Sequence, residues 1–395
     1  MRLWIALAAA LALPLFGPRA PRRPPRFATA RPGYAWRFPR DAGAHPAFAN
    51  EWWYFTGNLR GSHGHRFGFE LTFFRISPFP GATLRQDIYF AHFAVSDLTA
   101  GRFFFHVRAR RGLWGQAGVG GSPLRIWNVN WRARFGPRGP RLLAARWGGF
   151  AVHLVLHPGR PPRRMFNGPD GYSRKGPAPS EASEYYSLPR LPAAGTITAA
   201  GRRFSVRGAV WMDHEFATDQ LAPSQIGWDW MGLQFDPVGR GSSPDRRRTQ
   251  PAQAPSPTPP APRDLLLFQL RDRDGKVDPY SAGTLRTRHG DASLLARQFE
   301  MLPLRIWRSP ATGGRYPVVW RLRIPSRHLR LTVTAALDDQ ELRARAPMAV
   351  DYWEGAVRVS GRWRGRPIRG VGYLEMTGYS HPFAALHSRG NLGTH

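Results

Sequence analysis

Short apolar and aromatic runs, separated by glycine-containing turns, follow one another along most of the chain. The turn Arg60-Gly61-Ser62-His63-Gly64 separates two aromatic runs, and Asp274-Gly275 and His289-Gly290 are further turn signals. No long segment repeats its apolar residues with a helical period. Closely spaced strands with glycine turns are typical of antiparallel sheets, so the sequence predicts an all-β sandwich or barrel. The predicted strands are 51–59, 67–76, 86–96, 102–110, 125–135, 149–156, 195–199, 203–211, 226–235, 265–271, 283–288, 318–324, 329–335, 353–362 and 370–375.

Two segments depart from this pattern. Within residues 1–30, Arg2 precedes an apolar run from Leu3 to Phe16. As a helix this run would reach about 21 Å, short of a hydrocarbon core of roughly 30 Å. We therefore predict a signal peptide or an uncleaved N-terminal anchor, and an exported protein that is periplasmic or secreted. Segment 237–263 is rich in proline, arginine and serine and lies between strand-like runs, which predicts a disordered hairpin insertion.

The chain is strongly basic. It carries 57 lysines and arginines against 26 aspartates and glutamates, a formal net charge of +31. The arginines are scattered singly, and no helix-turn-helix, zinc-finger or ribonucleoprotein motif is visible, so we predict no nucleic-acid partner and expect contact with an anionic membrane. With no cysteine, disulfides, thiolate nucleophiles and cysteine zinc sites are excluded. His63 and His65 lie in a turn typical of a solvated loop, and we predict no metal site and no cofactor.

Four clusters join acidic residues to tryptophan or tyrosine. They are Glu51-Trp52-Trp53-Tyr54, Trp211-Met212-Asp213-His214-Glu215, Gly227-Trp228-Asp229-Trp230 and Tyr352-Trp353-Glu354-Gly355. Burial among apolar rings raises the pKa of a carboxyl, so that it stays protonated near neutral pH and can serve as a general acid. Tryptophan faces stabilise a cation on a substrate. The alternative is that the tryptophans pack a sheet core and the acids are structural partners of arginines.

Strand alternation sharpens the second cluster. If 211–216 is a strand, Trp211, Asp213 and Glu215 share one face and the residues between them share the other. The two acids then lie about 6.6 Å apart along the strand, which favours one protonated carboxyl if both are buried. In the third cluster the two tryptophans face one way and the aspartate the other. The candidate catalytic residues are Asp213, Glu215 and Asp229, and the candidate ligand-binding residues are Glu51, Trp53, Tyr54, Trp211, Trp228, Trp230 and Trp353.

These clusters, in this order, resemble the carotenoid 1,2-hydratase (hydroxyneurosporene synthase) family, which includes the AttH-like proteins labelled predicted secreted hydrolases. The resemblance covers roughly 36–380. It is carried by His45, the run 51–57, Phe73-Phe74-Arg75, the run 91–97, the run 172–176, Tyr185-Tyr186-Ser187, the run 211–216, the run 227–230, Tyr316-Pro317, Asp339-Gln340-Glu341, the run 352–355 and the run 372–379. Departures are Phe216, where tryptophan is usual, Met231-Gly232, and the insertion at 237–263.

The resemblance implies two consecutive lipocalin-like antiparallel β domains, 31–225 and 226–385, with an apolar cavity for an elongated apolar or isoprenoid ligand. It also implies addition of water to a carbon–carbon double bond. On this hypothesis Asp213 protonates the alkene, Trp211, Trp228 and Trp230 stabilise the cation, and Glu215 or Asp229 orients the water. Two alternatives use the same residues. One is a carrier of a lipid or isoprenoid without chemistry, and the other is a carboxylate-pair hydrolase, for instance on a glycoside.

Overall fold

The computed structural model describes residues 25–157, 163–237, 261–344 and 350–382. Within these ranges the regular elements are strands and short 3₁₀ turns. The first thirteen strands are β1 (Asn50–Gly61), β2 (Arg66–Ile76), β3 (Ile88–Asp97), β4 (Arg102–Arg111), β5 (Ala117–Gly120), β6 (Arg125–Asn128), β7 (Trp131–Gly136), β8 (Gly139–Trp147), β9 (Phe150–Leu156), β10 (Met165–Phe166), β11 (Tyr172–Arg174), β12 (Ala182–Ala199) and β13 (Arg202–Ala217). The others are β14 (Gln225–Phe235), β15 (Pro262–Asp272), β16 (Ala282–Thr287), β17 (Gly290–Leu295), β18 (Glu300–Arg308), β19 (Arg315–Ile324), β20 (Leu329–Ala335), β21 (Glu341–Ala344), β22 (Val350–Trp363) and β23 (Arg366–Met376). The 3₁₀ turns are Arg40–Ala42, Ser62–Gly64, Leu113–Gly115, Pro169–Gly171, Ala296–Gln298 and Pro325–Arg327.

The strands form two antiparallel sheets. The first has the order β4-β3-β2-β1-β13-β12-β9-β8-β7-β6-β5, with β10 and β11 paired to β12. The second has the order β17-β16-β15-β14-β23-β22-β20-β19-β18, with β21 paired to β22. The first sheet curls until β6 meets β3, where Asn128 Nδ2 donates to the carbonyl oxygen of Tyr89 at 3.1 Å. It is a nearly closed barrel and the second sheet is a half-barrel, which confirms the predicted all-β, two-unit architecture.

Most predicted strands are present, and the predicted strand 125–135 is divided into β6 and β7. The sequence analysis did not predict β5, β8, β10, β11, β17, β18 and β21, and it missed most of the long strand β12. Only 195–199 was predicted in the region where β12 runs from Ala182 to Ala199. The missed part contains Pro189 and Pro192, and a proline removes a donor from a strand ladder. The structure accommodates them with a change of register between Leu188 and Leu191, a bulge that lets β12 continue along β13.

Alternation along each strand creates three large apolar clusters. Trp53 and Phe55 of β1 point into the core of the first sheet, and Met231 and Leu233 of β14 point into the core of the second. The opposite faces of these strands meet between the sheets, where Tyr54 belongs to the third cluster. The sheets approach closely here. If Gly68 of the first sheet carried a Cβ atom, that atom would lie 2.8 Å from Ala356 Cβ and from Tyr373 Oη of the second sheet.

The chain passes from one sheet to the other over a short link. The first sheet ends at Ala217 and the second begins at Gln225, so the predicted boundary after residue 225 falls at the start of β14.

Most of the predicted signal or anchor (1–24) and most of the predicted insertion (238–260) lie outside the described residues. Both therefore stay predictions. Within the described ranges we find no helix with the length and apolar character needed to cross a membrane.

Candidate active site between the two sheets

A cavity of about 1140 Å³, including its open mouth, lies between the outer faces of the two sheets. This position differs from the interior of a barrel, which in both sheets is filled by side chains. Aromatic and aliphatic side chains form most of the wall: Trp52, Tyr54, Phe74, Trp228, Trp230, Phe268 and Leu270. Carboxyl, histidine, lysine, arginine, amide and hydroxyl side chains also line the cavity, which therefore combines a mainly apolar surface with polar groups.

Three glutamates gather at one part of the wall. Glu354 and Glu375 are direct cross-strand neighbours on β22 and β23, which places their Cβ atoms about 4.5–5.5 Å apart. Glu70 on β2 faces them from the first sheet. In the described part of the chain none of the three has a basic side chain within ion-pairing distance. Three acids therefore share an apolar site without a neutralising cation.

Burial and mutual repulsion keep these acids protonated. Burial raises the pKa of Glu70 to about 7. Burial, together with the charge of Glu70, raises the pKa of Glu375 to about 8. The same two causes and the charge of Glu375 raise the pKa of Glu354 well above its usual value. At neutral pH this group of carboxyls therefore holds protons that it can donate.

Two tyrosines and a histidine link the acids across the sheets. Tyr54 Oη donates to Glu354 Oε1 at 2.7 Å, and Tyr352 Oη donates to Glu70 Oε1 at 3.3 Å. Tyr352 Oη also lies 2.6 Å from His92 Nδ1. Burial lowers the pKa of His92 to about 4, so its imidazole is neutral. In the tautomer that carries its proton on Nδ1, His92 donates to Tyr352 Oη, the phenol donates to Glu70, and Nε2 is left with its lone pair.

Three buried atoms in this group have no hydrogen-bond partner: Glu70 Oε2, His92 Nε2 and Glu354 Oε2. A buried polar atom without a partner is unfavourable by roughly 1–3 kcal/mol. All three belong to residues that line the cavity. A ligand with a polar group, or water carried in with it, would satisfy them.

A second polar point lies elsewhere on the wall. Lys175 Nζ is 3.3 Å from Glu215 Oε1 and donates to Ser173 Oγ at 2.8 Å. Glu215 also accepts hydrogen bonds from Ser183 Oγ and, at 2.9 Å, from Gln220 Nε2. The ion pair is buried, and both of its members line the cavity.

Asp213 lies behind the wall rather than on it. Its carboxylate accepts from Tyr185 Oη at 2.6 Å and from Trp211 Nε1 at 2.7 Å. Burial raises the pKa of Asp213 to about 7, against the effect of these hydrogen bonds. Tyr185 lines the cavity and accepts from Trp230 Nε1 at 3.0 Å. Asp213 therefore reaches the cavity through Tyr185, and its assignment as the acid stays a prediction.

The other predicted residues divide between the cavity and the two cores. Glu51, Tyr54, Glu215, Trp228 and Trp230 line the cavity, and Trp211 packs edge-on to Trp230 with ring centroids 5.9 Å apart. The predicted split of residues 211–216 and 228–230 between two faces is confirmed, since Met212 and Met231 lie in the sheet cores.

Three predicted site residues are placed away from the cavity. Asp229 faces the second sheet's interior, where Arg271 Nε is 3.2 Å away and Tyr379 Oη donates at 2.9 Å. Trp53 and Trp353 are core residues whose indole nitrogens donate to backbone carbonyls. Successive side chains of a strand point to opposite faces, so these three residues face away from the cavity that their neighbours line.

The sequence analysis did not assign to the site the cavity residues Glu70, His92, Lys175, Tyr185, Tyr352, Glu354 and Glu375, although Tyr352 and Glu354 stand in its fourth cluster. Glu70, His92 and Glu375 share a pattern that could have found them. Each is a titratable residue with an apolar residue on either side, in a run such as Phe-Glu-Leu or Leu-Glu-Met. A charge at such a position must be paired or kept neutral.

One further cluster has the composition of a metal site. The Nδ1 atom of His45 and the Nε2 atom of His214 lie 2.7 and 2.9 Å from Glu51 Oε1, and the three residues are buried. Arg75 Nε binds the other oxygen of Glu51 at 2.9 Å. Despite burial, His45 and His214 hold the pKa of Glu51 well below its usual range. The carboxylate is thus fully bonded by side chains, and this arrangement fits a structural hydrogen-bond network.

Comparisons with known proteins agree with this architecture. A family model described as AttH-like matches residues 29–239 and 261–379. A solved AttH protein of Nitrosomonas europaea is 32% identical, with a TM-score of 0.73 over 89% of this chain and 100% of that chain. Kievitone hydratase from Nectria haematococca, 13% identical, has a similar fold, with a TM-score of 0.60 over 90% of this chain and 98% of that one.

A curated relative adds a more distant match. Dehydratase asqC of Emericella nidulans is 21% identical over 197 residues, which is 49% of this chain and 50% of that protein. The chain thus spans about half the length of this relative. The resemblance expected from the separated sequence motifs is confirmed at the level of the family. The chain belongs to the AttH-like family.

Proposed function

We propose that the protein adds water to, or removes it from, an apolar substrate held in the cavity between the sheets. One observation carries the proposal: Glu70, Glu354 and Glu375 are buried together in an aromatic cavity, protonated near neutral pH, with two of their oxygens unpartnered. Hydration and elimination of water both need a proton donor and a proton acceptor on one substrate. The names of the hydratase and dehydratase relatives support this choice.

The geometry suggests separate roles for the acid and the base. In the elimination direction, the protonated Glu354–Glu375 pair gives a proton to the substrate hydroxyl as the carbon–oxygen bond breaks and water leaves. His92 Nε2 takes the proton from the adjacent carbon, whose bonding electrons form the double bond. Hydration is the reverse. Tyr352 and Glu70 orient the imidazole, and Trp228 and Trp230 cover the reacting carbons.

The substrate class is inferred from the wall. Aromatic rings offer an apolar surface for an elongated hydrocarbon, as expected of an isoprenoid. A sugar would need hydrogen-bond partners for its many hydroxyl groups, and the surface that this wall exposes to the cavity is mainly apolar. The cavity therefore favours an alkene or a secondary or tertiary alcohol over a glycoside.

The E354Q variant is expected to lower turnover by about a hundredfold to ten-thousandfold, since glutamine cannot donate the proton. Purified protein is incubated in H₂¹⁸O with a panel of acyclic carotenoids, shorter isoprenoid alkenes and alcohols, and conjugated enones. Mass spectrometry then detects oxygen incorporation or loss. E184Q is the matched control, because burial also raises the pKa of Glu184, to about 7, but Glu184 lies outside the cavity wall.

The D213N variant separates the two candidate acids. Because Asp213 contacts the cavity only through Tyr185, D213N is expected to lower turnover less than E354Q does. A larger loss in D213N than in E354Q would assign the acid to Asp213, as the sequence predicted. If wild-type protein converts no member of the panel but yields an unmodified isoprenoid in its organic extract, the protein is a carrier.

A further inference from the structure

Lys175 is unusual in this chain. Of its 57 basic residues, only Lys175 and Lys276 are lysines. Lys276 is exposed and paired with Asp274, whereas Lys175 is buried and lines the cavity. A chain that uses arginine almost everywhere thus has a lysine where a cation faces the aromatic wall near Phe268. Lysine offers a compact ammonium with rotatable donors, which a planar guanidinium does not.

The contacts of the ammonium leave one donor for a ligand. Nζ has three N–H groups. Two oxygen partners are close, Ser173 Oγ at 2.8 Å and Glu215 Oε1 at 3.3 Å. The nitrogen also lies 3.9 Å from the ring centroid of Phe268 and 5.2 Å from that of Tyr185, both on the cavity wall. The remaining N–H is therefore on the side of the aromatic cavity.

The charge balance selects a neutral acceptor. Glu215 already neutralises Lys175, and Glu70, Glu354 and Glu375 line the same cavity. An anionic ligand would add an unpaired charge to a buried site that already contains these four carboxyls and that of Glu51. A carbonyl oxygen accepts a hydrogen bond from an ammonium without adding charge.

We infer that Lys175 forms a subsite for a neutral carbonyl oxygen, so that the substrate is an apolar molecule in which a ketone or aldehyde is conjugated to the reacting double bond. This inference rests on the proposed function and names its substrate class. In hydration, the oxygen of water bonds to the carbon remote from the carbonyl, its proton goes to the carboxylate of the Glu354–Glu375 pair, and the electron pair of the double bond moves toward the carbonyl oxygen. The ammonium stabilises that enolate, and the protonated His92 then gives a proton to the carbon next to the carbonyl.

Three probes of similar shape test the subsite through binding alone. Benzylideneacetone carries a neutral enone, 1-phenyl-1-butene replaces its carbonyl with a methylene, and trans-cinnamate replaces its acetyl group with a carboxylate. Ligand-observed NMR titrations measure the affinity of the full-length wild-type protein for each. We expect benzylideneacetone to bind about tenfold more tightly than 1-phenyl-1-butene, as for one hydrogen bond to a charged donor, and more tightly than cinnamate.

Two variants assign the preference to Lys175. K175M removes the donor, and K175M/E215Q removes it without leaving a lone buried carboxylate, which protects the fold. In both variants, the ratio of the affinity for benzylideneacetone to the affinity for 1-phenyl-1-butene is expected to fall close to one. The inference is overturned if wild type shows no such preference, if cinnamate binds most tightly, or if the preference persists in the folded double variant. These measurements do not depend on turnover, so their failure is distinct from failure of the hydration assay.

Discussion

Replacing Glu375 with glutamine is expected to raise the free energy of unfolding by about 4 kcal/mol at pH 9 and to leave it nearly unchanged at pH 4. Burial and the charge of Glu70 raise the pKa of Glu375 from 4.5 to about 8 in the folded protein. The folded state thus binds this proton more tightly than the unfolded state. The stability that this bound proton contributes is fully present below the pKa of Glu375 in the unfolded chain. It is lost as the pH rises through the folded pKa of about 8. Glutamine keeps the shape and removes the ionisation.

Urea unfolding followed by tryptophan fluorescence, repeated from pH 4 to pH 9, measures this effect. The control is E300Q, because the Glu300 side chain is 59% exposed. Parallel pH profiles for E375Q and wild type would show that Glu375 is not held protonated by its surroundings. A stabilised E375Q that has also lost turnover would mean that the site maintains its acids at the expense of stability.

Replacing Arg75 with methionine is expected to lower the free energy of unfolding by about 3–5 kcal/mol. The guanidinium is buried and binds Glu51 at 2.9 Å and Asp87 at 3.0 Å. It also donates to the backbone carbonyls of His45 and Phe48. Removal of the arginine leaves two buried carboxylates without their cation, and the segment that leads into β1 loses two hydrogen bonds.

Urea unfolding at pH 7 measures the loss, and hydrogen exchange of residues 45–49 reports the attachment. R305M is the matched control, since Arg305 also binds a carboxylate, Asp338, at 2.6 Å, but the two side chains are 49% and 37% exposed. An exposed pair contributes less than about 1 kcal/mol. Similar losses in R75M and R305M would show that burial adds nothing to the Arg75 network.

Features that depend on local pattern could be predicted from the sequence. Alternation was enough to place Trp228 and Trp230 on one face and Asp229 on the other, and to place Asp213 beside Trp211. The all-β class was inferred from turn residues and the absence of a helical period. These properties depend on neighbours along the chain, so they can be recognised without knowledge of the tertiary fold.

The site itself depends on contacts between distant residues. Tyr352 and Glu70 are 282 residues apart, and Tyr54 and Glu354 are 300 apart. The pairing of Glu354 with Glu375 needs the register of β22 against β23, in which a slip of one residue would turn one acid to the other face. Alternation also does not show which face of β1 is inward, so Trp53 and Tyr54 were both assigned to the ligand although only Tyr54 reaches the cavity.

Because the cavity lies between the outer faces of the two sheets, the residues that pack each sheet's interior and the residues that line the cavity are different residues of the same strands. In β1 and β14, inward residues such as Phe55 and Leu233 must fill a packed interior, while the alternate residues shape the chamber. Exchanging the latter reshapes substrate preference without repacking either interior. A scaffold of this kind can diversify its chemistry by substitutions on one surface while the residues that hold each sheet together stay constant.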